Sequence, residues 1–191
     1  MSHRVFVALP ISPALQSEII AWEQQFPGLP VRWLKGKNLH ITLVPPWETD
    51  DTDKITTLLN CLNNAGGRIE LIFDRVTFGP NLREPRLIWA EGSTPPLIVK
   101  LKAQLEQTLA LPQSQRTSAT SPRMSAKERV FLLHLTLARF RPEQFHSLPV
   151  KTFNETVDWQ DTASTFVLME SHLLPSGADY EILAKFPFTS S

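Results

Sequence analysis

The sequence is short of glycine, of cysteine, of net charge and of long apolar runs. Its 191 residues include only 7 glycines, against a usual level of about 7%, and neither GxGxxG nor GxxxxGK[ST] occurs. This argues against phosphate sites built from Gly-rich backbone loops, so that any phosphate must be held mainly by side chains. One cysteine, Cys61, rules out an intrachain disulfide framework and every CxxC metal or redox motif. That usage fits a reducing, cytoplasmic setting. With 19 Lys+Arg against 19 Asp+Glu the formal charge is zero, which argues against capture of long nucleic acid by bulk charge. A site that handles one phosphate with a few local groups stays open. Only five consecutive apolar residues, Val5 to Leu9, precede Pro10, too few for a signal-peptide core. No run approaches the roughly 18 apolar residues of a membrane span, so a soluble chain with no membrane partner and no targeting segment is expected.

What is present is a globular composition, 42% hydrophobic and 20% charged, at a length that suits one domain or two small lobes. Proline is abundant, with 16 residues. Val5, Val7 and Leu9 alternate with Phe6 and Ala8, the pattern of a buried strand. Ser12 is placed to cap a helix with Pro13 at its first position, and Leu15, Ile19, Trp22 and Phe26 then form one apolar helical stripe. After a Pro/Gly-rich link and a short extended piece at Val31–Trp33, a strand over 38–44 carries His40-Ile41-Thr42-Leu43.

The second half repeats this order. Arg86 to Ala90 reads as a strand, Thr94 as a cap with Pro95 opening a helix, and Leu97, Leu101, Leu105 and Leu109 as its stripe. A strand over 131–140 then carries His134-Leu135-Thr136-Leu137. Each motif is followed by further elements: an acidic helix start at 48–53 and a strand over 69–78 in the first half, a polar stretch and strands over 165–174 and 180–188 in the second. The expectation is one bilobed domain over 1–191, with pseudo-repeats at about 1–80 and 81–191 and a flexible basic loop at 112–129.

Side chains alternate faces along a strand. His40 and Thr42 therefore share one face and His134 and Thr136 share another, each opposite a leucine-rich face that belongs in the core. By composition an H-x-T should occur about 0.4 times, but with Ile or Leu between and Leu after it only about 0.01 times. Two occurrences at equivalent places in two repeats form a strong signal. Histidine exchanges protons near neutrality and threonine supplies an uncharged hydroxyl donor. Two of each around one small anion suit metal-free phosphoryl transfer, one imidazole as base, the other as acid, with the hydroxyls on the phosphate oxygens. Neither motif contains a carboxylate, so no metal or other cofactor is expected.

At these residues the chain resembles the 2H phosphoesterase superfamily, and within it the RNA 2′,3′-cyclic phosphodiesterases, also called 2′-5′ RNA ligases. The resemblance runs from Arg4–Leu9 through Arg32-Trp33, the two H-x-T-L motifs and Pro85–Ala90, to Ser171–Leu174, Gly177, Tyr180 and Phe186–Phe188. It implies a bilobed, duplicated α+β fold, with two antiparallel sheets around a central groove and helices outside. It further implies hydrolysis of an RNA 2′,3′-cyclic phosphate to a 2′-phosphate, with 2′-5′ ligation as a weak or reverse reaction. In that reading His40 is the proton donor, His134 the proton acceptor, and Thr42, Thr136 and Arg139 bind the substrate. The partners would be RNA ends or tRNA fragments carrying a cyclic phosphate, and the protein would act as a monomer. Two departures stand out: Val44-Pro45-Pro46-Trp47 replaces the usual Phe-Leu-Gly turn, and Leu133 replaces a proline.

Strict alternation puts Arg139 on the leucine face unless the strand bulges. Trp33, Trp47 and Tyr180 are candidates to stack a base or to fill the core, and Cys61 reads as core filler on its helix. His3, His146 and His172 lack a partner motif and stay outside the chemistry. Two other functions remain open: the same chemistry on a small cyclic nucleotide-type phosphate, and a non-catalytic RNA-binding module.

Overall fold

The computed structural model describes residues 2–62, 67–110, 131–175 and 177–188. In chain order the elements are β1 (His3–Pro10), α1 (Pro13–Glu23), β2 (Arg32–Trp33), a 3-10 turn (Gly36–Asn38), β3 (His40–Thr49), α2 (Thr52–Asn60) and β4 (Ile69–Gly79). They continue with β5 (Leu87–Glu91), α3 (Pro96–Leu109), β6 (His134–Arg139), α4 (Pro142–Phe145), β7 (Asn154–Ala163), β8 (Thr165–Leu174) and β9 (Gly177–Pro187). The basic loop expected at 112–129 lies outside the described residues.

Helix α1 starts as its sequence dictates: Ser12 Oγ accepts the Leu15 N–H at 3.2 Å, and Leu15, Ile19 and Trp22 are buried. The helix stops at Glu23, so Phe26 packs from the following turn. Helix α3 departs from expectation. Its N-cap is Pro95, not Thr94, and Pro96 opens the helix. Thr94 sits one residue too early to reach the free first-turn amides. Its hydroxyl instead donates to the Phe131 carbonyl at 3.2 Å and accepts the Leu133 N–H at 2.9 Å, tying down the segment that leads into His134. The buried stripe is Ile98, Leu101, Leu105 and Leu109, while Leu97 is exposed.

Two antiparallel sheets result, ordered β3-β1-β8-β9 and β2-β6-β5-β4-β7. Each draws on both halves of the chain. The first half's β4 pairs with the second half's β5, and the second half's β8 pairs with β1. The helices cross over likewise. Trp22 of α1 lies 5.6 Å from Trp159 of the second sheet, and Lys102 of α3 donates to the Leu43 carbonyl of the first at 3.1 Å. Such an exchange makes the two lobes one cooperative core, in which Val5, Val7, Leu9, Ile41, Leu43, Leu135 and Leu137 are all 0% exposed.

Two strands differ from their sequence reading. The polar stretch after α4 includes the ten-residue β7, which pairs only with β4; an edge strand with a solvated face needs few apolar residues. Strand β3 runs on through Val44-Pro45-Pro46-Trp47 instead of ending at Val44. It is the edge of its sheet, where a missing N–H leaves no ladder bond unmade. No helix among the described residues is long and apolar enough to cross a membrane.

Candidate active site

Strands β3 and β6 approach each other where the two sheets meet. His40, Thr42, His134 and Thr136 are all half-buried, and the leucine and isoleucine residues between them are buried. Each histidine stands beside an aromatic ring from the neighbouring strand. The Phe6 ring on β1 lies 4.9 Å from His40, and the Trp89 ring on β5 lies 4.8 Å from His134.

The backbone fixes the working nitrogen of both rings. His40 Nδ1 lies 2.7 Å from the Asn38 carbonyl and His134 Nδ1 lies 2.9 Å from the Leu132 carbonyl. A carbonyl only accepts, so each Nδ1 donates and each Nε2 keeps the lone pair when the ring is neutral. His40 Nε2 is 3.2 Å from Thr42 Oγ1. Asn38 is buried, and its side chain links this corner to the β8–β9 hairpin. Its Nδ2 donates to the Ala178 carbonyl at 3.0 Å, and its Oδ1 accepts the Tyr180 N–H at 3.3 Å. Tyr180 is thereby set edge-on to His40, with ring centres 5.1 Å apart.

A bulge decides where Arg139 goes. In the β5–β6 ladder Leu87 pairs with Arg139 and Ile88 with Ala138, but Trp89 pairs with Thr136. Leu137 is the extra residue, and both Leu137 and Ala138 are buried. One added residue reverses the alternation and returns Arg139 to the open face of His134 and Thr136. Strand β3 carries the same irregularity at Leu43, since Val7 pairs with Val44 and Ala8 with Thr42. Pro45 therefore occupies the position in the first motif that Arg139 occupies in the second.

A second asymmetry lies across the ladder. His134 is paired with Glu91, whereas His40 is paired with Pro10. Burial is the main influence on both imidazoles and lowers both. His40 is pushed down to about 4, with its bond to the Asn38 carbonyl opposing the shift and the positive charges of Arg139 and His134 adding to it. His134 is also lowered, while its bond to the Leu132 carbonyl and the negative charge of Glu91 oppose the shift. The two halves thus differ electrostatically by Glu91 and Arg139 against Pro10 and Pro45.

Beside His40 a cleft is lined by Arg32, Trp33, Lys35, Arg139 and Tyr180. Trp33 and Tyr180 are both half-buried in its wall, but Trp47 is only 4% exposed and belongs to the core, so it cannot stack a base. Cys61 is exposed at the end of α2 rather than core filler, because that helix buries only Leu59. Among the described residues the one His/Cys/Asp/Glu group close enough to share an ion is Glu170, His172 and Glu181, which includes neither motif histidine. His3 pairs with Glu170 at 2.7 Å, and His146 follows α4. Sequence reasoning missed Glu91, Asn38, Phe6 and Trp89. Phe6, Trp89 and Glu91 gain their places from strand pairing, and nothing in the sequence singled out Asn38.

Residues 9–89 match the family model described as LigT like Phosphoesterase. An RNA 2′,3′-cyclic phosphodiesterase of Methanocaldococcus jannaschii is 25% identical over 189 residues, covering 96% of this chain and 99% of that protein. Among solved structures, TT0787 of Thermus thermophilus superposes with a TM-score of 0.77 at 19% identity, covering 98% of both chains. E. coli LigT complexed with 3′-AMP superposes with a TM-score of 0.72 at 22% identity over the whole of both chains. Over residues 9–89 the chain is thus similar to the LigT-like phosphoesterases, and its fold is the two-lobed α+β arrangement of the solved LigT structures.

Proposed function

We propose that this LigT-like phosphoesterase hydrolyses a 2′,3′-cyclic phosphate at an RNA end to a 2′-phosphomonoester, with His40 and His134 as a metal-free acid–base pair. The observation that carries the reading is the matched pair of imidazoles, each with Nδ1 committed to a backbone carbonyl and the lone pair on Nε2, that of His40 beside the Thr42 hydroxyl. Binding alone does not need two proton-transfer groups, which disfavours a non-catalytic RNA-binding module. The M. jannaschii relative's name supports an RNA substrate.

In this mechanism water attacks phosphorus and the bond from phosphorus to the 3′ oxygen breaks. His134 takes the proton of the attacking water, and His40 gives one to the departing 3′ oxygen. Thr42, Thr136 and Arg139 hold the non-bridging oxygens as charge rearranges. The negative charge of Glu91, across the ladder, favours the imidazolium that forms on His134, while the Nδ1–H stays on the Leu132 carbonyl. The same ring opening with an RNA 5′ hydroxyl in place of water would give 2′-5′ ligation. Trp33 and Tyr180 offer faces for the terminal base.

The test is incubation with an oligoribonucleotide ending in 2′,3′-cyclic phosphate, with EDTA present. A 2′-phosphate product formed at an undiminished rate is expected. Hydrolysis of small cyclic nucleotides alone would favour the second reading, and a rate that depends on added zinc would overturn the metal-free mechanism.

The lowered imidazole values also set a pH dependence. Above both pKa values neither ring carries the proton that the leaving oxygen needs; below both, no base remains for water. One value is about 4 and the other lies below the ordinary 6.5. The optimum of kcat/KM, which reports the free protein, is therefore expected on the acid side of neutrality. An optimum above pH 8 would contradict this.

A further inference from the structure

A second cleft continues from the first, sharing Arg32 and Arg139 with it, and adds Arg86, Arg141 and Gln144. Three adjacent strands place these charges at one level. Arg32 on β2 is the direct cross-strand partner of Arg139 on β6, and Arg139 is paired with Leu87 on β5, next to Arg86. Arg141 follows two residues beyond the end of β6. The two clefts together therefore present a run of positive charge along one end of this sheet.

Elsewhere on the surface Arg4 pairs with Glu48, Lys37 with Asp179 and Arg75 with Glu91. Among the described residues no carboxylate lines the second cleft, Asp179 in the first is paired with Lys37, and Arg86, Arg139 and Arg141 have no carboxylate within ion-pair distance. The β8–β9 hairpin holds Arg32 in place. A Cβ on Gly177, whose φ is +119°, would come within 2.3 Å of Arg32 Nη1, so the guanidinium lies directly against that backbone.

Resting on the proposed phosphodiesterase reading, we propose that the row Arg139–Arg32–Arg86–Arg141 binds the sugar–phosphate backbone of the RNA strand on the 5′ side of the reacting end. The row explains how a chain of zero net charge engages a polyanion: four arginines are concentrated on one track, and the excess of acidic residues lies elsewhere. Guanidinium groups suit the task because each can grip a phosphate with two parallel N–H donors. The preferred substrate is then an oligonucleotide carrying several phosphates, not a cyclic mononucleotide.

The test compares a cyclic mononucleotide with an oligoribonucleotide of about six residues ending in 2′,3′-cyclic phosphate, in the natural protein and in an Arg86→Gln/Arg141→Gln variant. The natural protein should favour the oligomer in kcat/KM by at least about tenfold at low salt, less at high salt. The variant should lose most of that preference and keep its mononucleotide rate, because the mononucleotide does not extend to either residue. Equal use of both lengths by the natural protein, or an undiminished preference in the variant, would overturn the proposal. A parallel measurement separates this from failure of the enzymatic reading. Binding of a labelled oligomer ending in 2′-phosphate should show a log K against log salt slope shallower by about 1.4 in the variant, the share of two phosphate contacts to a single strand. An unchanged slope would exclude the track whether or not any substrate is turned over; a changed slope without turnover would leave the track and remove the phosphodiesterase.

Discussion

His40→Ala and His134→Ala are each expected to slow turnover of a cyclic-phosphate RNA end by about 10²–10⁴-fold, the scale of a lost general acid or base. The fold should survive both changes. Each ring is half-buried at the groove rather than in the core, and the strands are held by Ile41, Leu43, Leu135 and Leu137 from their other faces. His40→Gln is the sharper version at the first position, since alanine there also vacates the contacts with Phe6 and Tyr180. The remaining rate would come from Thr42, Thr136 and Arg139, which in the proposed mechanism hold the phosphate without moving protons. The double variant should therefore be little slower than the worse single one, as groups that act as a unit are not additive. Single-turnover rates on the oligomer, with the melting temperature of each variant as control, check this. Near-natural turnover by a folded variant would remove that histidine from the mechanism.

The parts of this site that the sequence made legible are those governed by local rules. Alternation along a strand puts His40 with Thr42 and His134 with Thr136 whatever the strands pair with, and Ser12 before Pro13 marks a helix start from its own chemistry. The parts that stayed hidden depend on what lies across a ladder. Arg139 reaches the open face only because Leu137 bulges against β5, a property of two strands together. Glu91 matters because it is registered opposite His134, and Pro10 because it is registered opposite His40. Thr94 had the chemistry of a cap but was drawn to a distant backbone segment, a tertiary contact that outweighs local preference. Strand β7 was unreadable for the opposite reason: as an edge it buries so few side chains that its sequence carries no apolar period.

Those cross-ladder residues also bear on which histidine is the acid. With the attached phosphorus–oxygen bond changed to phosphorus–sulfur at the 3′ position, the leaving group becomes a thiolate, whose ordinary pKa of about 8.5 lets it depart without a proton. The His40→Ala variant is expected to recover about 100-fold or more on this substrate relative to the natural one, by removal of the need for a general acid; His134→Ala should recover little. The free protein's charges would, by population alone, place the proton on His134, because Glu91 favours its imidazolium and Arg139 disfavours that of His40. Strength runs the other way. A low pKa makes His40 the stronger acid once protonated, and the carboxylate beside His134 makes it the stronger base. In the proposed complex the substrate phosphate would correct the populations, since it would neutralise Arg139 and place a negative charge beside His40. Rescue of the His134→Ala variant by sulfur, with none for His40→Ala, would reverse the two roles and show that ground-state charge, not acid strength, sets them.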